Sequence, residues 1–153
     1  MRTRTIGLAV ALGFVAVAVC FASPHMGSWK LNEAKTKLAP GANKNHTVVY
    51  EAAGDDIKII VDGVDAAGKP VHNEWTGKFD GKDHPLVGDP IADARAYMLV
   101  DDKTLDMIIK KEGKPVITGR IEVSADGKTR TVTTYGTDAQ GKKTTSIAVY
   151  DKQ

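Results

Sequence analysis

The chain has 153 residues, 21 of them basic and 19 acidic, with a single cysteine and few aromatics. Arg2 and Arg4 are the only charged residues of the first 22, so beyond them 19 basic residues stand against 19 acidic ones. That balance excludes the basic footprint of a nucleic-acid binder. A domain that begins after Cys20 also excludes disulfides, thiol catalysis and cysteine-bound zinc.

Arg2 and Arg4 precede a nearly unbroken apolar run from Ile6 to Phe21, which ends at Cys20-Phe-Ala22-Ser23. The run is shorter than the roughly 20 residues of a membrane helix, and small residues precede Ser23. This predicts a signal peptide over residues 1–22, cut after Ala22. The product would be exported, periplasmic or extracellular, with no stable membrane insertion after cleavage. A rival, lipidation of Cys20, is disfavoured because Val19 stands where such sites want Gly, Ala or Ser. Residues 23–153 make one domain's length, expected to be a monomer.

The mature sequence opens with Gly27-Ser-Trp29-Lys-Leu31, which reads as a first strand whose indole plugs the end of a barrel while Gly27 admits the closing strand. Lys37 to Lys44 contains Pro40 and Gly41 and reads as a loop. Short runs rich in Val, Ile, Thr and Tyr follow at roughly ten-residue spacing. They are Asn45 to Ala53, Asp56 to Asp65, Val71 to Phe79, His84 to Val87, Arg95 to Asp101, Thr104 to Lys111, Pro115 to Ser124, Thr129 to Thr137 and Thr144 to Asp151. Alternation is clearest where Val71, Asn73, Trp75, Gly77 and Phe79 share one face and His72, Glu74, Thr76 and Lys78 the other. Val61, Asn73, Gly77, Gly119, Ile121, Val132 and Val149 are the candidate inward positions.

The connections are of hairpin length, and the turns beginning at Asp65, Ala125 and Asp138 share an Asp followed by Gly-Lys, a matter of turn chemistry rather than of an internal repeat. The predicted fold is all-β, an antiparallel up-and-down meander of about 8–10 strands closed into a lipocalin-like barrel, with no significant helix after the leader.

Gly27-Ser-Trp-Lys-Leu31, the strand and turn alternation, and Val149-Tyr-Asp-Lys152 together resemble the calycins, the lipocalins and fatty-acid-binding proteins. Trp75-Thr-Gly-Lys-Phe-Asp-Gly-Lys-Asp83 and Ser124 to Thr129 look like segments of small exported bacterial proteins, which implies a compartment and a barrel but no activity. The calycin resemblance fits a barrel with a cavity, which follows from a strand count near ten because the candidate inward positions are mostly small or medium. It has two departures: Lys35 to Lys44 is too short and too rich in Pro and Gly for a helical lid, and the family's carboxylate-binding Arg-x-Tyr on the last strand aligns with Ala148-Val-Tyr150. The tyrosine is present and the arginine is not, so Arg120 or Arg130 would have to substitute from a neighbouring strand.

No metal is expected. The histidines lack ligand spacing, His72 and Glu74 read as a surface pair, and Pro24 has no amide nitrogen to complete a copper-binding amino terminus with His25. Asp55-Asp56 and Asp101-Asp102 lack calcium-loop spacing, and Asp106, the most tempting acid, falls on an outer face. No nucleophile elbow or phosphate loop is present, and no cofactor is implied. The predicted function is therefore binding of a small hydrophobic or amphipathic molecule. Trp75 and Phe79 would form the wall, and Tyr97, Arg120 and Tyr150 the polar anchors. The alternatives are a protein-interaction or inhibitor module with a filled barrel, marked by an exposed apolar patch, and a small barrel enzyme, marked by a shifted tyrosine or carboxyl group.

Overall fold

The computed structural model describes residues 23–153, so the expected signal peptide lies outside the described residues. Ten antiparallel strands form a closed meander: β1 (Gly27–Leu31), β2 (Lys44–Ala53), β3 (Asp56–Val64), β4 (Pro70–Gly77), β5 (His84–Val87), β6 (Ala94–Asp101), β7 (Thr104–Lys111), β8 (Lys114–Val123), β9 (Thr129–Thr137) and β10 (Lys143–Lys152). Each strand pairs with its sequence neighbour, and β1 closes the ring by pairing with both β10 and β2. The only helical element among the described residues is a 3₁₀ turn, Glu33–Lys35.

Side-chain alternation drives this arrangement, because each strand buries one face and leaves the other wet. Ile59, Val61, Asn73, Trp75, Leu105, Met107, Ile121 and Val123 point inward and are buried. Asp106 points outward, as its alternation with Leu105 and Met107 requires. Val149 does not follow the expected inward placement. Tyr150 and Ala148 take the inner face of β10, and Val149 is buried on the outer face, where its carbonyl accepts from Asn32 N–H (2.8 Å) and its N–H donates to Thr36 Oγ1 (3.0 Å). The segment around the 3₁₀ turn covers it.

The turns repeat a single device. In both Asp65–Lys69 and Asp138–Lys142, the Asp Oδ1 accepts two backbone N–H bonds, and the Gly adopts positive φ (82° at Gly68, 79° at Gly141). A register shift between Asn45 and Thr47 bends β2, and Gly63 opposite it leaves no room for a side chain: a Cβ there would lie 2.7 Å from Asn45 Cα and strike the Lys44 carbonyl.

The two ends of the barrel differ. At the end holding Ser23–Met26, the Gly54-Asp55 turn and the carboxyl terminus, Trp29, His25, Trp75 and Phe79 fill the interior. Trp29 is fully buried, and its indole N–H donates to the His25 carbonyl at 2.9 Å, tying Ser23–Met26 beneath the strands. Gly27 lies against the closing strand, where a Cβ would come 3.3 Å from Lys152 Cε. At the other end the loop from Leu38 to Asn43 borders an open mouth.

Candidate functional site

Between the aromatic floor and the mouth lies a cavity of about 1310 Å³. It exceeds the roughly 300–1,000 Å³ of ordinary ligand pockets and has the size expected when ten strands, rather than about eight, surround the axis. A barrel filled throughout by its side chains does not describe this chain. The middle walls are apolar, with Val48, Val61, Met107, Ile121, Val132 and Ala148, and the rim carries Asn45, Thr134 and Ser146.

The lower wall is cationic. Arg130 on β9 is 2 % exposed, and its guanidinium carbon stands 5.2, 5.0 and 4.9 Å from the ring centroids of Trp29, Tyr50 and Tyr150. Three aromatic faces at such distances stabilise the cation, each by about 1–2 kcal/mol when desolvated. They offer no hydrogen-bond acceptor in line with the N–H groups, and Nε and Nη1 are buried without a partner. Arg95 on β6 is 6 % exposed. Its Nη1 reaches the Tyr97 hydroxyl at 3.3 Å and its Nη2 reaches Asn73 Oδ1 at 3.4 Å, while Nε has no partner. Both bonds are longer than the usual 2.7–3.2 Å range and correspondingly weak. Among the described residues no carboxylate forms an ion pair with either arginine.

Three tyrosines complete the set. Tyr50, Tyr97 and Tyr150 all line the cavity, Tyr50 beside Arg130 and Tyr97 beside Arg95. Burial pushes the Tyr50 and Tyr150 hydroxyls above the ordinary phenol range, and the nearby Arg130 only partly opposes it. These groups therefore remain O–H donors at neutral pH. An activated phenolate base would need the opposite shift.

No family model and no curated protein matches the chain. Among solved structures, its fold is similar to that of EF1p2_mFAP2b bound to DFHBI, at 11% sequence identity and a TM-score of 0.49, over 86% of this chain and 96% of that one.

Of the residues singled out from sequence, Tyr97 and Tyr150 line the cavity. Trp75 and Phe79 face inward but lie in the floor: their rings stack at 6.4 Å, Tyr97 packs edge-on to Trp75 at 4.9 Å, and the Trp75 indole N–H donates to the Arg95 carbonyl at 2.7 Å. They support the wall rather than form it. Arg120 is on the outer surface, bonded through Nε and Nη2 to Asp106 at 2.7 and 3.1 Å, and has no access to the cavity. Of the two arginines considered from sequence, it is Arg130 that lines the cavity, as the register partner of Tyr150 across the β9–β10 ladder. Asn73 is inward as expected, but its place beside Arg95, like Arg95 and Tyr50 themselves, is absent from the site read from sequence. A signal existed for Arg95, because Arg95-Ala-Tyr97 is itself an Arg-x-Tyr, on the sixth strand instead of the last. On the outer wall His72 bonds Asp62 (2.6 Å) and Glu74 (3.2 Å), a surface network.

Proposed function

We propose that this chain binds a small amphipathic molecule with an acidic headgroup, held headgroup-down in the barrel. The observation that carries the reading is the pair Arg95 and Arg130, buried at the lower end of an apolar cavity with no carboxylate partner. A buried charge without a counterion costs several kcal/mol, and an anionic ligand supplies the compensation. Tyr50, Tyr97, Tyr150 and Asn73 surround that position, while the apolar middle wall takes the rest of the molecule. The sequence of residues 1–22 supports export to the periplasm or beyond, and a monomeric carrier without cofactor is the simplest form of the proposal.

Two measurements test it. Native mass spectrometry of protein purified from its own host should reveal a bound organic acid. Titration while tryptophan emission is recorded should show decanoate binding well above decanol, because an anion beside Arg130 changes the field on Trp29. Equal binding of acid and alcohol would remove the headgroup from the proposal.

One observation favours a second reading, a protein-interaction module: Met98, Leu99 and Val100 are consecutive and 53%, 49% and 49% exposed. A dimer in sedimentation equilibrium that Met98→Lys abolishes would support that role over a monomeric carrier.

A further inference from the structure

Resting on the acidic-ligand reading, we infer that the headgroup is doubly charged, a phosphate monoester or a paired dicarboxylate rather than a single carboxylate. The argument is one of charge matching inside a closed wall. Two guanidinium groups face the cavity from different strands, β9 and β6, each with its own environment. Arg130 is held by aromatic faces alone and makes no hydrogen bond among the described residues, while Arg95 holds only two long bonds to neutral oxygens. Neither can neutralise the other, and a monoanion would leave one positive charge uncompensated. The 3.3 and 3.4 Å contacts of Arg95 are long and end on neutral oxygens, so an anionic ligand oxygen, which makes shorter and stronger bonds to a guanidinium, would displace them at little cost.

The aromatic cage limits how the match can be made. Nε and Nη1 of Arg130 are sealed from the cavity, which leaves Nη2 as the nitrogen able to meet a ligand oxygen. Arg130 therefore offers one contact point, and Arg95 another on a separate strand. A headgroup with three or four acceptor oxygens can address both, and the neighbouring Tyr97 and Tyr150 hydroxyls add donors for oxygens that remain.

The test is a titration of the protein with probes of one chain length, below their micelle concentrations: decyl phosphate and decylmalonate as dianions, decyl sulfate and decanoate as monoanions, and decanol as the neutral reference. At pH 8 at least one dianion should bind about tenfold or more tighter than both monoanions, the gain expected of one further charged hydrogen bond. Which dianion leads distinguishes phosphate from paired carboxylates. The advantage of decyl phosphate over decyl sulfate should shrink from pH 8 to pH 5, because the phosphate monoester dianion takes up one proton near pH 6 and sulfate does not. Arg95→Gln and Arg130→Gln, each checked for native circular dichroism, should separately erase the preference. Monoanions binding as tightly as dianions at pH 8 would overturn the inference while leaving the acidic-ligand reading intact. Decanol matching every anion would overturn both. The comparison on the unsubstituted protein decides the matter even if neither variant folds.

Discussion

Arg130 and Tyr150 are directly opposed across the β9–β10 ladder, and the guanidinium carbon sits 4.9 Å from the tyrosine ring centroid. Strand pairing thus brings an arginine to a tyrosine that has none on its own strand. The arrangement is structurally expensive, because the charge is buried and two of its nitrogens have no acceptor.

That expense predicts a trade-off. Arg130→Met keeps the volume and removes the unpaired charge, so the ligand-free barrel should become more stable by about 1–3 kcal/mol, the desolvation relief outweighing the lost cation–π contacts. The same variant should lose the thermal stabilisation that an acidic ligand confers. Denaturant unfolding with and without decanoate checks both halves, and a destabilised variant would show that the cage is worth more than the buried charge costs.

Arg120 supplies the contrast. Its bidentate contact with Asp106 lies on the surface, where such pairs contribute about 0–1 kcal/mol. Arg120→Ala should leave ligand affinity unchanged within error and shift stability by no more than that. A loss of binding in this variant would return Arg120 to the site.

Trp29 should be the costliest single residue of the floor. It is fully buried, gives its N–H to His25 and covers one face of Arg130. Trp29→Ala is expected to cost about 3–5 kcal/mol in denaturant unfolding. A cost below about 1 kcal/mol would mean that the barrel end closes without the indole.

His25 gives the floor a pH dependence. Burial, then the Arg130 charge, lowers its pKa to about 4, and both ring nitrogens lack partners among the described residues. The unfolded chain binds the proton more readily than the folded one, so stability is complete above the ordinary histidine value of about 6.5 and falls as pH drops toward 4. The loss over that window should approach about 3 kcal/mol. His72 acts in the opposite sense, since its bonds to Asp62 and Glu74 raise its pKa and stabilise the fold most below the ordinary histidine range. His25→Leu should flatten the fall in stability between pH 6.5 and pH 4, as read from urea midpoints. An unchanged profile would assign the acid sensitivity elsewhere.

The strands and turns were legible because their signals are local. Asp65 and Asp138 announce their turns within five residues, and alternation from His72 to Lys78 separates the two faces of β4. In the same way, Gly119 and Ile121 inside require Arg120 outside, and Val132 inside requires Arg130 inside. What alternation cannot express is height along the barrel axis. Trp75 and Phe79 were assigned the correct face but the wrong depth, because depth depends on the stagger of every intervening strand. Val149 was misjudged for a related reason, since its burial comes from a segment more than a hundred positions away in sequence. Arg95 was legible too, since it stands two residues from Tyr97, already read as a cavity anchor, but the usual placement of charge on the outside masks that signal.

The ring of ten strands is not uniformly sewn. Between β4 and β5 only Glu74–Val87 and Trp75–Leu86 are in register, whereas β2 and β3 are matched over nearly their whole length. Beyond those two pairs, the His84 ring fills the space where Gly77 has no side chain: a Cβ on Gly77 would come within 2.7 Å of His84 Cδ2. In amide hydrogen exchange this gap, together with the equally short β5–β6 seam of His84–Arg95 and Pro85–Ala94, should be the first place where protection fails, because opening it breaks few ladder bonds while the longer hairpins stay intact. A breathing slit there would lie beside Trp75 and Arg95 and would offer a side route to the cationic wall that bypasses the mouth.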